Sequence, residues 1–209
     1  MNSKRSLVRR AAAVTAAGAA ALVLAACGGN GDSSAGHDGH TSKSPSRSAS
    51  ADQGRHNAAD IAFAKGMIPH HRQAVEMADL APDRVQSPEL KKLAEDIKKA
   101  QDPEIRTLSG WLTTWGEDVP AEGAMDHSLH GGMEGMMSTE EMDKLNSSSG
   151  AAFDTAFMEL MIKHHEGAVA MAKTEQADGS YAPAKKMAGD IITSQTAEIT
   201  RMSTLLGKN

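Results

Sequence analysis

Apolar residues recur at intervals of three and four along four segments of this chain, which is the spacing of an amphipathic helix. One such series consists of Leu90, Leu93, Ile97, Ile105, Leu108 and Leu112. The regular alternation of a half-buried strand is absent. Turn-forming residues at 81–89 and 176–183 divide the segments into two pairs, and such short connections make the helices of each pair antiparallel neighbours. The pattern predicts an all-α four-helix bundle built from two helical hairpins.

The two predicted hairpins are related by an internal repeat at an offset of 94 residues. Residues 60–78 and 154–172 are identical at 11 of 19 positions, and both contain Met-Ile-x-His-His-x-x-Ala-Val-x-Met-Ala. The offset continues weakly into the second helix of each hairpin, where Glu104 pairs with Glu198. The bundle is therefore predicted to be a duplicated hairpin.

The N-terminal region has the pattern of an export signal followed by a tether. Residues 1–27 contain four basic residues, a short Ala-rich apolar run and a lipobox that ends at Cys27, so they predict a lipoprotein signal peptide. Residues 28–55 are rich in Gly and Ser and predict a disordered tether. The domain is expected outside the cytoplasm, anchored to the bacterial cell membrane by a lipid on Cys27. Because Cys27 is the chain's one cysteine, disulfides and thiolate metal sites are excluded.

Charge and length limit what remains. Without the signal peptide the chain has 18 basic and 27 acidic residues, hence a net charge of −9, which does not suit nucleic-acid binding. Residues 56–209 are expected to form one bundle domain with a Met- and His-rich insertion at about 117–142. Within it, the sequence from Ser138 to Glu141 predicts a capping box and a short helix to about Leu145. Asp60 and Asp154 are predicted to cap or begin their helices.

Paired histidines and methionines share one face of each repeated helix. The first face comprises Phe63, Met67, His70, His71, Ala74 and Met77, and the second comprises Phe157, Met161, His164, His165, Ala168 and Met171. Such a stripe alone indicates core packing, with histidines hydrated or bonded to neighbours. Between the halves, however, Met, His, His and Met are retained while intervening positions differ. Imidazole suits copper or zinc and thioether sulfur selects Cu(I), so the pattern points to copper first and leaves zinc open.

The repeated motif, together with Trp111-Leu112 and Trp115-Gly116, resembles the bacterial domain of unknown function family 305 over residues 56–206. The resemblance implies a ferritin-like four-helix fold and an association with copper binding and copper tolerance. Carried over by position, it implies the metal ligands Met67, His70, His71, Met77, Met161, His164, His165 and Met171. A di-iron site is not expected, because such sites need Glu-x-x-His pairs and the sequence contains none.

The insertion supplies further residues that suit copper by composition. Its candidate accessory ligands are His127, His130, Met133, Met136 and Met137, and Met125 and Met142 are of the same type.

The sequence as a whole predicts a lipid-anchored protein that sequesters copper, as Cu(I) or Cu(II), confers tolerance or transfers the metal to a copper-handling partner. The sequence contains neither a nucleophile paired with a base nor a phosphate-binding loop, so it does not indicate an enzyme. Two alternatives stay open: a copper-dependent redox enzyme, and a metal-free helical interaction module at the cell envelope.

Overall fold

The computed structural model describes residues 54–122 and 134–208. The predicted signal peptide with Cys27, and the predicted tether up to residue 53, lie outside these ranges. The helices are α1 (Ala58–Asp79), α2 (Ala81–Arg84), α3 (Pro88–Trp115), α4 (Thr139–Ser147), α5 (Gly150–Asp178) and α6 (Ala182–Leu205). The described ranges contain no strand, so the prediction of an all-α bundle is confirmed, with α1, α3, α5 and α6 as its long helices. Within the described ranges, none of the helices combines the length and the apolar character of a membrane-spanning segment.

The long helices pack as the repeat predicts. Helix α1 lies along α3, helix α5 lies along α6, and α1 and α5 contact each other between the hairpins. Apolar residues of the N-terminal half of α1, such as Phe63, pack with Ala168 and Ala172 of the C-terminal half of α5. Ala74 and Met77, in the C-terminal half of α1, share a cluster with residues of the N-terminal half of α5. Helices α1 and α5 are therefore antiparallel and meet near their middles.

The helix starts have explicit caps. Asn57 accepts hydrogen bonds from the backbone of Ala59 and Asp60, and Asp60 accepts from the Asn57 backbone in return. The predicted capping box at Ser138 is also present, with Glu141 as its partner, and α4 follows it. These bonds satisfy amides that a helix start leaves without partners.

Two aspartates tie the hairpins together. Asp60 on α1 accepts hydrogen bonds from the backbone amides of Ser180 and Tyr181, just before α6. At the same repeat position, Asp154 accepts from the amides of Gln86 and Ser87, just before α3, at 2.9 Å each. The prediction for Asp60 is confirmed, whereas the prediction that Asp154 caps its own helix is wrong. Asp154 lies within α5 and stabilises the start of α3, because folding brings the other hairpin's turn against it.

Candidate metal centre

A buried polar layer divides the apolar core in two. The first apolar cluster contains Met77, Leu93, Ile97, Phe157 and Met161 among others, and the second contains Phe63, Met67, Leu108, Ala168 and Ile191 among others. Each long helix changes from one cluster to the other at a pair of polar residues in its middle. The polar layer consists of His70 and His71, Gln101 and Glu104, His164 and His165, and Gln195 and Glu198. These eight residues form four pairs that recur at the 94-residue offset.

His70 and His164 lie at the centre of the polar layer, where α1 meets α5. Their ring centroids are 3.7 Å apart at an interplanar angle of 45°. Both side chains are fully buried, and neither ring nitrogen of either residue has a hydrogen-bond partner. Leaving such polar atoms without partners in an apolar interior is costly, since they give up water and gain nothing in return. This pair is therefore unfavourable for folding by itself.

Burial keeps both central rings neutral. It lowers the pKa of His70 to about 3, and repulsion from His71 and His165 acts in the same direction, weakly opposed by the Glu134 backbone. Burial also lowers the pKa of His164 well below its ordinary value, and the neighbouring histidines add to the effect. Neutral imidazole is the form that binds a metal ion, because a nitrogen lone pair is then available.

His71 and His165 flank the central pair and are held by carboxylates. Nε2 of His71 lies 2.7 Å from Oε2 of Glu104, and Nε2 of His165 lies 2.7 Å from Oε2 of Glu198. Since a carboxylate only accepts, Nε2 donates the proton in each pair, and in the neutral form of the ring Nδ1 carries the lone pair. Each Nδ1 is buried and has no hydrogen-bond partner. A histidine with a carboxylate behind one nitrogen and a free lone pair on the other has the usual arrangement of a metal ligand.

The glutamates and glutamines were missed as functional residues in the sequence-based prediction. Gln101 and Gln195 lie one turn before the glutamates, and both are buried. Neither side-chain polar atom of Gln101 has a partner, nor does Oε1 of Gln195. The available signal was that these polar residues interrupt the apolar face of α3 and α6 at repeat-equivalent positions.

The predicted methionine ligands fall into two groups. Met67 and Met161 are fully buried and lie three residues before His70 and His164, about one helical turn away. Met77 is fully buried but lies seven residues beyond His70, about 10 Å along the helix axis. Met171 likewise lies seven residues beyond His164, and it is partly exposed beside a cavity of about 180 Å³. Only Met67 and Met161 are thus one turn from the central rings, and the eight-residue ligand set stays a prediction.

The accessory ligands are only partly described. Met136 is half-buried, and Met137 is buried in the first apolar cluster. His127, His130 and Met133 lie outside the described residues. Within the described ranges, no three His, Cys, Asp or Glu side chains are grouped as a metal site. A metal held in the polar layer would therefore need thioether ligands beside the imidazoles, or an approach of His71 and His165 to the central pair.

Outside the polar layer, a buried carboxyl lies near the C-terminal end of α5. Glu175 is 1% exposed, and no hydrogen-bond donor reaches its two oxygens. Burial raises the pKa of Glu175 to about 8, the negative charge of Asp60 acts in the same direction, and Lys185 opposes the shift. Glu175 is therefore protonated near neutral pH. The repeat-equivalent residue of Glu175 is Ala81, so the repeat does not reproduce this pair of carboxyl groups at Asp154.

Comparisons with known proteins agree with this architecture. The family model of the domain of unknown function DUF305 matches residues 60–206. A DUF305 protein from Streptomyces coelicolor, described as secreted, is 34% identical, with 72% of this chain and 93% of that chain covered and a TM-score of 0.65. A DUF305 fragment from Deinococcus radiodurans is 29% identical, with coverages of 73% and 98% and a TM-score of 0.64.

A further similar structure is that of a metal-bound protein. CopM in its Cu(II)-bound form is 37% identical, with 70% of this chain and 94% of CopM covered and a TM-score of 0.61. CopM structures also exist in Cu(I)-bound and Ag-bound forms, at 33% and 34% identity. No curated protein matches this chain in sequence. Because the family model spans most of the chain, including all four long helices, this protein belongs to the DUF305 family.

Proposed function

We propose that this protein binds copper in its polar layer and holds it outside the cytoplasm, for sequestration, for tolerance or for transfer to a partner protein. The observation that carries the proposal is the pair His70 and His164, fully buried at 3.7 Å between ring centroids with all four nitrogens unpartnered. A bound metal ion would satisfy lone pairs that the fold leaves unused. The copper- and silver-bound forms of CopM support this assignment.

Cu(I) is the proposed oxidation state. The donors near the central rings are neutral imidazoles and the thioethers of Met67 and Met161, a soft set that suits a monovalent ion. The cost of desolvating an ion rises with the square of its charge, so a monovalent cation is far easier to bury here than a divalent one. Glu104 and Glu198, behind the outer histidines, compensate the added charge.

The proposal is one of binding without catalysis. The central rings are fully buried, so a substrate would have no access to the ion. Attachment to the cell membrane through a lipid on Cys27, outside the cytoplasm, is part of the same proposal and is consistent with the lipobox sequence.

The test is a titration of the purified protein with Cu(I), Cu(II) and Zn(II) against competing chelators. The variant His70→Ala with His164→Ala is compared with His56→Ala, which removes a histidine that stacks on Trp115 away from the polar layer. Tight Cu(I) binding by the wild type and His56→Ala, with at least a 100-fold loss in the double variant, is expected. Equal Cu(I) affinity in all three proteins would refute the proposal, and tighter binding of Zn(II) would refute the choice of metal.

A lipid anchor is tested separately by mass spectrometry of the protein from membranes of the expressing bacterium. A diacylglyceryl modification that disappears in Cys27→Ser is expected. An unmodified Cys27 would refute the anchor without affecting the copper proposal.

A further inference from the structure

A short segment before α4 crosses the two helices that carry the histidines. This segment, residues 134–138, is called the strap. Oε1 of Gln73 on α1 accepts a hydrogen bond from the Met137 amide at 2.7 Å, and Nε2 of Gln73 donates to the Met137 carbonyl at 2.9 Å. Gln73 is 2% exposed and Met137 is 5% exposed. The strap is thus attached to α1 by two buried hydrogen bonds made by a single side chain.

On α5 the strap lies in a notch made by a glycine. A Cβ atom at Gly167 would be 1.9 Å from the Glu134 carbonyl oxygen, which is part of the strap backbone. Gly135 has a φ of +88°, and a Cβ atom there would be 2.7 Å from the Lys163 carbonyl and 3.0 Å from that of His164. The backbones of strap and helix are therefore in direct contact at the turn that carries His164. Any side chain at Gly167 would push the strap away.

Gln73 and Gly167 occupy the same position of the repeat, 94 residues apart. The residues on either side of this position include identical pairs, such as His71 with His165 and Ala74 with Ala168. The strap occurs once, and it needs a long amide on α1 and no side chain on α5. The difference between the two halves at this position follows from that need. Each of the two residues lies three positions after a central histidine, so the strap crosses beside both His70 and His164.

We propose that Gln73 and Gly167 are positioning residues for the histidine pair. They hold the strap across the junction of α1 and α5, and the strap closes the polar layer on that side. Closure sets how fast a metal ion enters and leaves the layer. This inference rests on the proposed copper binding for its kinetic consequence. The closure itself is a property of the metal-free protein and can be tested without metal.

The metal-free test measures modification of the histidines by diethyl pyrocarbonate, located by mass spectrometry. The variants are Gly167→Ala and Gln73→Leu. The matched control is Gly110→Ala, since a Cβ at this helical glycine meets nothing within 4 Å. We expect His70 and His164 to be modified at least tenfold faster in both strap variants, with circular dichroism unchanged. Rates equal to those of Gly110→Ala would overturn the proposal. Should Gly167→Ala fail to fold, Gln73→Leu decides the question alone, because it removes the two hydrogen bonds to Met137 without adding a side-chain atom.

The second measurement is stopped-flow transfer of Cu(I) from the loaded protein to a chromogenic chelator. Both strap variants are expected to release Cu(I) at least tenfold faster than Gly110→Ala, with a smaller change in equilibrium affinity. Release rates equal to the control overturn the strap's role. A wild type that does not bind Cu(I) overturns the proposed function instead, and the histidine modification rates still report whether the strap closes the layer.

Discussion

Replacing the two central histidines should not destabilise the metal-free protein. His70 and His164 are fully buried without hydrogen bonds, so His70→Leu with His164→Leu removes polar atoms that the fold does not satisfy. Each unpaired buried group costs about 1 to 3 kcal/mol, or about 2 to 6 kcal/mol for one donor on each ring. The changed side-chain shape costs up to about 1.5 kcal/mol per site. At neutral pH the net effect is expected to be stabilising or close to neutral.

The pH dependence of the free energy of unfolding gives a sharper test. The cost of the changed side-chain shape is the same at both pH values and cancels in the comparison. Unfolded histidine is protonated below its ordinary pKa of 6.5, whereas the folded protein keeps His70 neutral down to about pH 3, and His164 likewise has a lowered pKa. The stability associated with each ring is therefore lost as pH falls from 6.5 towards the folded pKa. At about pH 5 the loss from His70 is about 2 kcal/mol, from about 1.5 pH units at 1.36 kcal/mol each, and His164 adds a loss in the same direction. The double variant lacks both losses.

The assay is urea unfolding of wild type and variant at about pH 7.5 and about pH 5, with a chelator present to remove metal. The variant should gain at least about 2 kcal/mol relative to the wild type between the two conditions, the part that follows from His70 alone. The matched control is His71→Leu with His165→Leu. This pair should destabilise the protein at neutral pH, because it strips Glu104 and Glu198 of their partners.

Two results would refute this reasoning. If the stability difference between the wild type and the central double variant is the same at both pH values, the rings are not held neutral by burial. If that variant loses more than about 3 kcal/mol at neutral pH, the rings have favourable interactions that exceed the cost of the changed shape at two sites.

Three further predictions concern the carboxylates. The pKa of Glu175 is about 8 in the folded protein against an ordinary value of 4.5, so its contribution to stability is lost as pH rises between these values. Glu175→Gln should therefore gain up to about 5 kcal/mol relative to the wild type from pH 4.5 to pH 8, and an equal pH dependence of the free energy of unfolding in the two proteins would contradict this. Asp154→Ala removes two 2.9 Å hydrogen bonds to the turn before α3 and should cost about 2 kcal/mol, with faster amide exchange at the start of α3. Asp190→Ala, at an exposed position of α6, should leave that exchange unchanged. The double variant Glu104→Ala with Glu198→Ala should bind Cu(I) about 10- to 100-fold more weakly in a chelator competition, while the protein stays folded. An unchanged affinity would show that the carboxylates do not act on the metal.

The long helices could be predicted from sequence because their apolar faces follow the helical period. Leu90, Leu93, Ile97, Leu108 and Leu112 are all buried as that period requires. The repeat likewise marked the paired histidines as unusual. What it could not show was which of the retained residues are needed for the metal. Met67, Met77 and Met161 are fully buried, so core packing alone would be enough to retain them.

The missed residues act on other helices or turns, beyond the reach of a pattern along one helix. Asp154 stabilises a turn 67 residues or more away, and Glu104 orients a histidine 33 residues away. Gln73 and Gly167 differ between the halves, so comparing the repeats marks them as drift. Their roles follow only from the position of the strap, which lies against both helices. Identity between the repeats therefore indicated the histidines of the polar layer. The difference between Gln73 and Gly167 marked the place where the strap lies against the two helices.

The polar layer and the apolar clusters have opposite effects on stability. Each long helix contributes buried apolar residues on both sides of the layer, such as Phe157 before His164 and Ala168 after it. These clusters, together with the crosswise bonds of Asp60 and Asp154, can hold the helices in place while the layer keeps imidazoles without partners. A fold selected for stability alone would fill those positions with leucine. The energetic cost of the layer is thus itself an argument that the histidines serve a ligand, because binding that ligand is what would recover the cost.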